Sequence, residues 1–152
     1  MESKNIRTAL SGIFIYFIFK LILQVSTKLL LCANMMISKI ENENILIGVI
    51  SLMGIMSLGI LTILYRKFLG NNTPNIRTVY YLLFLFLLLY AANLATGKLY
   101  GLLIVESETE RILALEHFAL NQTLNTIFQI LALVLLFWKM HRTNNSNIES
   151  PL

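Results

Sequence analysis

The chain has 152 residues, of which 57% are hydrophobic and only 13% are charged, with a formal net charge of +4. Soluble domains carry roughly one-quarter charged residues, so this composition excludes an ordinary soluble domain and indicates a membrane protein. The basic residues lie at the ends of apolar segments rather than in one cluster, so we expect no nucleic-acid partner.

Four apolar stretches are long enough for an α-helix to cross a bilayer, which takes about 20 residues. They cover residues 9–37, 45–65, 78–105 and 112–138. The predicted fold class is therefore an all-α polytopic integral membrane protein, an antiparallel bundle of four transmembrane helices with short loops. Residues 1–142 then form a single domain, and we expect residues 143–152 to be a short disordered cytoplasmic tail.

The first apolar stretch contains lysines that need an explanation. Four polar or aromatic residues at spacing four form a slowly turning stripe on one side of a helix: Tyr16, Lys20, Gln24 and Lys28. A charge at the bilayer centre costs about 2.5–3.5 kcal/mol on insertion scales, so such residues normally face the protein interior or water. We expect Lys20 to face inward, whereas Lys28 either does the same or extends its side chain to the membrane surface.

Small residues predict where helices approach one another. The second stretch is rich in them: Gly48, Ser51, Gly54, Ser57 and Gly59. Such residues let membrane helices pack closely, and a flexible gate is the alternative interpretation. Gly97 and Gly101 form a weak Gly-x-x-x-Gly pattern in the third stretch, and Asn44 is placed to cap the second helix.

Polar residues also gather near one end of the third and fourth stretches. Four of them fall within one helical arc of about 80°: Glu110, His117, Asn121 and Asn125. Asn93 and Lys98 lie in the last part of the third stretch.

The basic residues also predict the orientation of the chain. With both termini cytoplasmic, seven of them lie inside: Lys4, Arg7, Arg66, Lys67, Arg77, Lys139 and Arg142. Only Lys39 and Arg111 then lie in outer connections, the bias expected of a multi-pass protein of the plasma (inner) membrane.

This orientation brings polar residues of three helices to the same side of the membrane. We expect a polar cleft open to the outer side, formed by Lys20, Gln24, Lys28, Asn93, Lys98, Glu110, His117, Asn121 and Asn125. Its lysines favour a small anionic or polar ligand, or a neighbouring glutamate. Alternatively, these residues only join the helices through hydrogen bonds of ordinary strength.

No motif in the sequence indicates catalysis. Cys32 is the only cysteine, so no disulfide or Cys-x-x-Cys pair forms within the chain. Glu116 and His117 are adjacent and point about 100° apart on a helix. His141 lies at the opposite membrane face, which excludes haem ligation by the two histidines, and no phosphate or dinucleotide fingerprint is present. We expect no catalytic residue, metal or cofactor.

The sequence therefore favours a protein that works by binding or assembly, as a subunit or accessory protein of a membrane complex. Its expected partners are the lipid bilayer and another membrane protein or a second copy of itself. The alternative is a small transporter or ligand-binding membrane protein that uses the lysine-lined cleft.

Overall fold

The computed structural model describes residues 2–38, 42–70, 74–106 and 111–146, and every element within these ranges is a helix. Helix α1 covers Glu2–Ala33 and continues into a π-helical turn at Asn34–Ser38, and the others are α2 (Glu43–Phe68), α3 (Ile76–Glu106) and α4 (Arg111–Ser146). Each of the four is long and apolar enough to cross a membrane. The predicted all-α chain with four helices of spanning length is confirmed.

The helix ends differ in detail from the sequence prediction. Asn42, rather than Asn44, is the N-cap of α2, and its side chain accepts a hydrogen bond from the Asn44 backbone N–H at 3.0 Å. Both positions carry asparagine, which is favoured at N-caps because its short side chain reaches the backbone N–H groups of the first helical turn, which have no partner within the helix. Helix α4 continues to Ser146, into the predicted tail at 143–152, and residues 147–152 lie outside the described ranges.

Helix α1 lies against all three other helices. It runs antiparallel to α4, since Thr27 contacts Asn125 and Gly12 lies against Met140. Helix α2 runs parallel to α4, as the contacts Gly54–Phe128 and Tyr65–Lys139 show. We call the end where α1 and α3 begin the basic end, and the end where α2 and α4 begin the acidic end, after the charged residues that flank these helix ends in the sequence.

Helix α3 packs on another side of α1. The Phe14 and Phe86 ring centroids are 6.1 Å apart, and further along the pair Lys28 Nζ donates a hydrogen bond to Asn93. Helix α3 meets α4 near the acidic end, where Tyr100 and Phe118 stack with centroids 5.7 Å apart.

The core consists of two apolar clusters. The larger occupies the basic half and contains Ile15, Ile18, Phe19, Leu23, Leu61, Tyr65, Leu69, Leu82, Phe128, Ala132 and Leu136. The smaller lies toward the acidic end and contains Leu31, Cys32, Leu46, Ile50 and Tyr100.

Of the glycines within α2 and α3, Gly54 is the one that meets a neighbouring helix at very short range. Gly54 is buried, and the Phe128 ring packs directly on it, in the space that a Cβ would fill. A Cβ added at Gly48, Gly59 or Gly101 would have nothing within 4 Å. The expected close approach of helices therefore occurs at Gly54.

Candidate functional site

An open stripe runs along α1. It comprises Ile6, Leu10, Ile13, Phe17, Lys20 and Gln24, of which the first four are exposed and the last two half-buried. The alternating spacing of four and three residues keeps these positions on one helix face. Phe17 touches Phe86 of α3 at one border of this face, and Gly12 and Thr27, on the other side, contact α4. The open stripe therefore lies between α3 and α4.

Lys20 is the charged residue of the open stripe. It lies midway along the candidate span Lys4–Met36, about 24 Å from each end at 1.5 Å per residue. Within the described parts of the chain, no side chain forms a hydrogen bond or ion pair with its ammonium group. Gln24, one helical turn further on, adds an amide that can donate and accept hydrogen bonds.

Lys28, unlike Lys20, contacts helix α3. Its Nζ donates a 2.9 Å hydrogen bond to Asn93 Oδ1 on α3. Gly97, one turn beyond Asn93, lies beside the lysine, and a Cβ there would make an ordinary van der Waals contact with Nζ at 3.7 Å. The pair is half-buried, and it ties α1 to α3 through an amide rather than a carboxylate.

A second polar group lies on the buried face of α4. His117, Asn121 and Asn125 follow one another at spacing four and are 5%, 1% and 2% exposed. Asn125 Nδ2 donates to Thr27 Oγ1 on α1 at 3.2 Å. The Thr27 hydroxyl in turn donates to the backbone oxygen of Leu23 at 2.8 Å. We call Thr27, His117, Asn121 and Asn125 the α4 polar cluster.

Three atoms of the α4 polar cluster are buried without a hydrogen-bond partner among the described residues. They are His117 Nε2, Asn121 Oδ1 and Asn125 Oδ1. Leaving such a group unsatisfied costs about 1–3 kcal/mol. The cluster therefore has free hydrogen-bonding capacity in addition to its link to α1.

The residues predicted to share one cleft occupy separate places. Lys20 and Gln24 lie on the open stripe, Lys28 and Asn93 join α1 to α3, and the other buried residues face the α1–α4 interface. Lys98 is exposed, and Glu110 lies outside the described residues. The separation arises because adjacent residues of a helix point about 100° apart, so Thr27 and Lys28 face different neighbours.

Thr27 is the member of the α4 polar cluster that the sequence did not predict. Its signal was a hydroxyl beside a lysine in an apolar helix, and such hydroxyls commonly bond within their own helix. Only the position of α4 shows that Thr27 also accepts a hydrogen bond from Asn125.

These groups suit recognition by hydrogen bonding and charge. Among the described residues, no group of three or more His, Cys, Asp or Glu side chains could hold a metal ion. Comparison with protein-family models, curated proteins and solved structures gives no significant match to the chain.

Proposed function

We propose that this chain is a four-span membrane protein that works by assembly, as a subunit or accessory protein of a membrane complex. The observation that carries the proposal is Lys20, a half-buried lysine at the centre of a candidate span with no partner among the described residues. Intramembrane charges normally pair with one another or with backbone carbonyls. Lys20 therefore calls for a partner outside its own helix bundle.

The side chain of Lys20 is too short to reach water along the membrane normal. The hydrocarbon core of a bilayer is about 30 Å thick, so either surface lies about 15 Å from a residue at mid-depth, beyond the four-carbon stem that allows lysines near helix ends to reach the surface. The charge must therefore be compensated at mid-depth, and a carboxylate there provides the strongest compensation.

A second copy of this chain has no suitable carboxylate. All eight acidic residues are glutamates, and none lies near the middle of a helix: Glu2, Glu41, Glu43, Glu106, Glu108, Glu110, Glu116 and Glu149. The antiparallel register of α1 and α4 sets Lys20 level with Ala132, about 24 Å along α4 from Glu116. The proposed partner is thus a transmembrane helix of another protein, with a carboxylate near its middle.

The open stripe of α1 offers such a helix a place to lie. It is apolar at Ile13 and Phe17 and polar at Lys20 and Gln24. A helix placed there would cover apolar surface, pair its carboxylate with Lys20 and bond the Gln24 amide.

A synthetic transmembrane peptide tests this proposal directly. The peptide is a Leu/Ala helix with one central Glu, and its binding to the full chain in bilayers is measured by fluorescence energy transfer. The Glu peptide should bind at least about tenfold more tightly than a peptide with Leu at that position, equivalent to about 1.4 kcal/mol. Lys20→Met should abolish the difference, whereas Lys98→Met, at an exposed position, should preserve it.

Equal binding of the Glu and Leu peptides would refute the pairing. Lys20-dependent energy transfer between two copies of the chain would also refute it, because the open stripe would then be occupied by a second copy. A normal helical circular dichroism spectrum and gel-filtration profile of Lys20→Met are required, so that loss of binding is not loss of folding.

The proposed orientation places the basic end, and therefore both termini, in the cytoplasm of a plasma (inner) membrane. Exposed positions at the two ends test it, Asn44→Cys at the acidic end and Ile76→Cys at the basic end, each in a Cys32→Ser background. An impermeant thiol reagent applied to intact cells should label only the cysteine at position 44. Labelling at position 76 alone would reverse the orientation.

Ligand binding is the second candidate function, as a small transporter or a ligand-binding membrane protein. The unpaired atoms of His117, Asn121 and Asn125 favour it, because buried polar atoms normally have partners. This candidate and assembly concern different surfaces of α1 and are compatible.

A further inference from the structure

We propose that the α4 polar cluster is an occluded binding site for a small hydrogen-bond donor, either water or an ammonium-sized cation. The inference deepens the second candidate function and is independent of assembly through the open stripe. It rests on which atoms are unpaired, what surrounds them and where the polar face of α4 stops.

The unpaired atoms define the chemistry of the ligand. Asn121 Oδ1 and Asn125 Oδ1 are carbonyl oxygens and only accept hydrogen bonds, while the imidazole Nε2 of His117 accepts or donates according to its tautomer. Thr27 cannot supply the missing proton, since its hydroxyl already donates to Leu23. With the amides in this orientation both unpaired amide atoms are acceptors, so a ligand that bonds them brings N–H or O–H groups.

The unpaired atoms lie at the level of the apolar cluster at the acidic end. Leu31, Leu46 and Ile50 are buried in the apolar cluster at the acidic end, and Phe118 and Leu124 pack against that cluster from α4 itself. Roughly 90% or more of buried polar groups in native proteins have a partner, often ordered water. Three unpaired atoms at successive turns of one helix face, about 6 Å apart along the axis, therefore offer adjacent hydrogen-bonding positions to a small ligand within an apolar surround.

A rare backbone feature lies at the same level. The antiparallel register of α1 and α4 places His117 opposite Met35, within the π-helical turn Asn34–Ser38. Single π-helical turns are uncommon and occur frequently at functional sites. Toward the basic end the fully buried face of α4 becomes apolar at Phe128, which packs on Gly54, and at Ala132, while Gln129 is half-buried. The site is thus closed toward the basic end and flanked by the π-helical turn toward the acidic end.

Two measurements on the full chain in lipid bilayers or mild detergent test the site. The first is thermal unfolding in increasing ammonium chloride, with choline chloride at equal ionic strength as the control. The second is water-edited solid-state NMR of asparagine-labelled protein, which records magnetisation transfer from water to the side-chain amides. Asn121→Leu removes one acceptor at similar volume, and Gln122→Leu is the matched control at the adjacent exposed position.

An ammonium-sized occupant predicts a saturable rise in Tm with ammonium but not with choline, lost in Asn121→Leu and kept in Gln122→Leu. A water occupant predicts no change in Tm that is specific to ammonium. It predicts that magnetisation passes from water to the Asn121 and Asn125 amides as fast as to the exposed Asn44 amide. The second measurement uses the wild-type chain, so it stands even where a variant fails to fold. Slow transfer at both buried amides together with no ammonium-specific shift overturns the proposal. Both results leave the peptide-binding test of Lys20 unaffected, so the two proposals fail separately.

Discussion

In the basic half of the bundle the helices meet through apolar side chains, whereas in the acidic half polar side chains lie within an apolar surround. Ile15, Phe19 and Leu61 are typical of the first region and are at most 2% exposed. Asn121 and Asn125 are buried to the same extent in the second region, and Asn125 bonds across to α1. The two regions meet where Phe128 packs on Gly54.

This difference concerns how each half of the bundle holds its helices together. Between helices in lipid, apolar contact brings no hydrophobic driving force, so association depends on close packing and interhelical hydrogen bonds. The basic half relies mainly on close apolar packing, with Gln129 of α4 half-buried and the buried Ser11 hydroxyl of α1 without a partner among the described residues. The acidic half keeps hydrogen-bonding atoms that its own side chains do not use.

The same contrast separates the two lysines in the body of α1. Lys28 donates to Asn93, so it belongs to the packing of the bundle. Lys20 has no described partner and lies on the open stripe. One lysine therefore joins helices of this chain, and the other is the one that we propose pairs with a different protein.

The largest expected loss of stability follows from a substitution at Gly54, where the two halves of the bundle meet. Gly54→Leu places a side chain where the Phe128 ring lies, so the free energy of unfolding should fall by about 3 kcal/mol, the upper end for overpacked cores. Reversible unfolding in mixed detergent micelles measures it. Gly59→Leu, on the same helix with open space around it, is the control and should change stability by less than about 0.5 kcal/mol. Similar losses in both variants would mean that α2 and α4 do not meet at Gly54.

Lys28→Met should have the next largest effect. It leaves the Asn93 carbonyl oxygen without its donor, which costs about 1–3 kcal/mol for a buried group, and the lower part of that range applies to a half-buried pair. The double variant Lys28→Met with Asn93→Leu should recover most of the loss, because both polar groups are then removed. Strictly additive losses would show that the hydrogen bond contributes nothing.

Thr27→Val tests the one bond that connects the α4 polar cluster to α1. Valine keeps the shape but removes the acceptor of Asn125 Nδ2, and interhelical bonds of this kind contribute about 0.6 kcal/mol on average and up to about 1.7. The same unfolding assay should record a loss in that range. Thr123→Val is the control, because the Thr123 hydroxyl is exposed and bonds only within its own helix. A larger loss for Thr123→Val would contradict the geometry.

Much of this fold was predictable from residue patterns, whereas the neighbour of each side chain was not. Apolar length predicted four helices, because lipid admits only segments that satisfy their own backbone hydrogen bonds. Spacing predicted that His117, Asn121 and Asn125 share a face, and the structure places all three there. Which of the small residues of α2 meets a ring was not predictable, since Gly48, Gly54 and Gly59 are alike in sequence and differ only in what lies opposite.

The candidate cleft shows the same limit. Position along a helix predicts only the level at which a residue lies in the bundle. The order of helices around α1 does not follow from the sequence, because four helices of similar apolarity can be arranged around one another in several ways. Lys20, Lys28 and Thr27 therefore have different neighbours, although their sequence positions place them on one short segment.

The smallest expected change in stability belongs to Lys20→Met. With no partner to abandon, the isolated chain should keep its free energy of unfolding within about 0.5 kcal/mol or gain some, while binding of the Glu peptide is lost. Lys28→Met provides the contrast, because it should lower stability and leave peptide binding intact. A fall of more than about 1 kcal/mol for Lys20→Met would show that the lysine has a partner within its own chain. The open stripe would then be an ordinary lipid-facing surface, and assembly through it would lose the observation on which it depends.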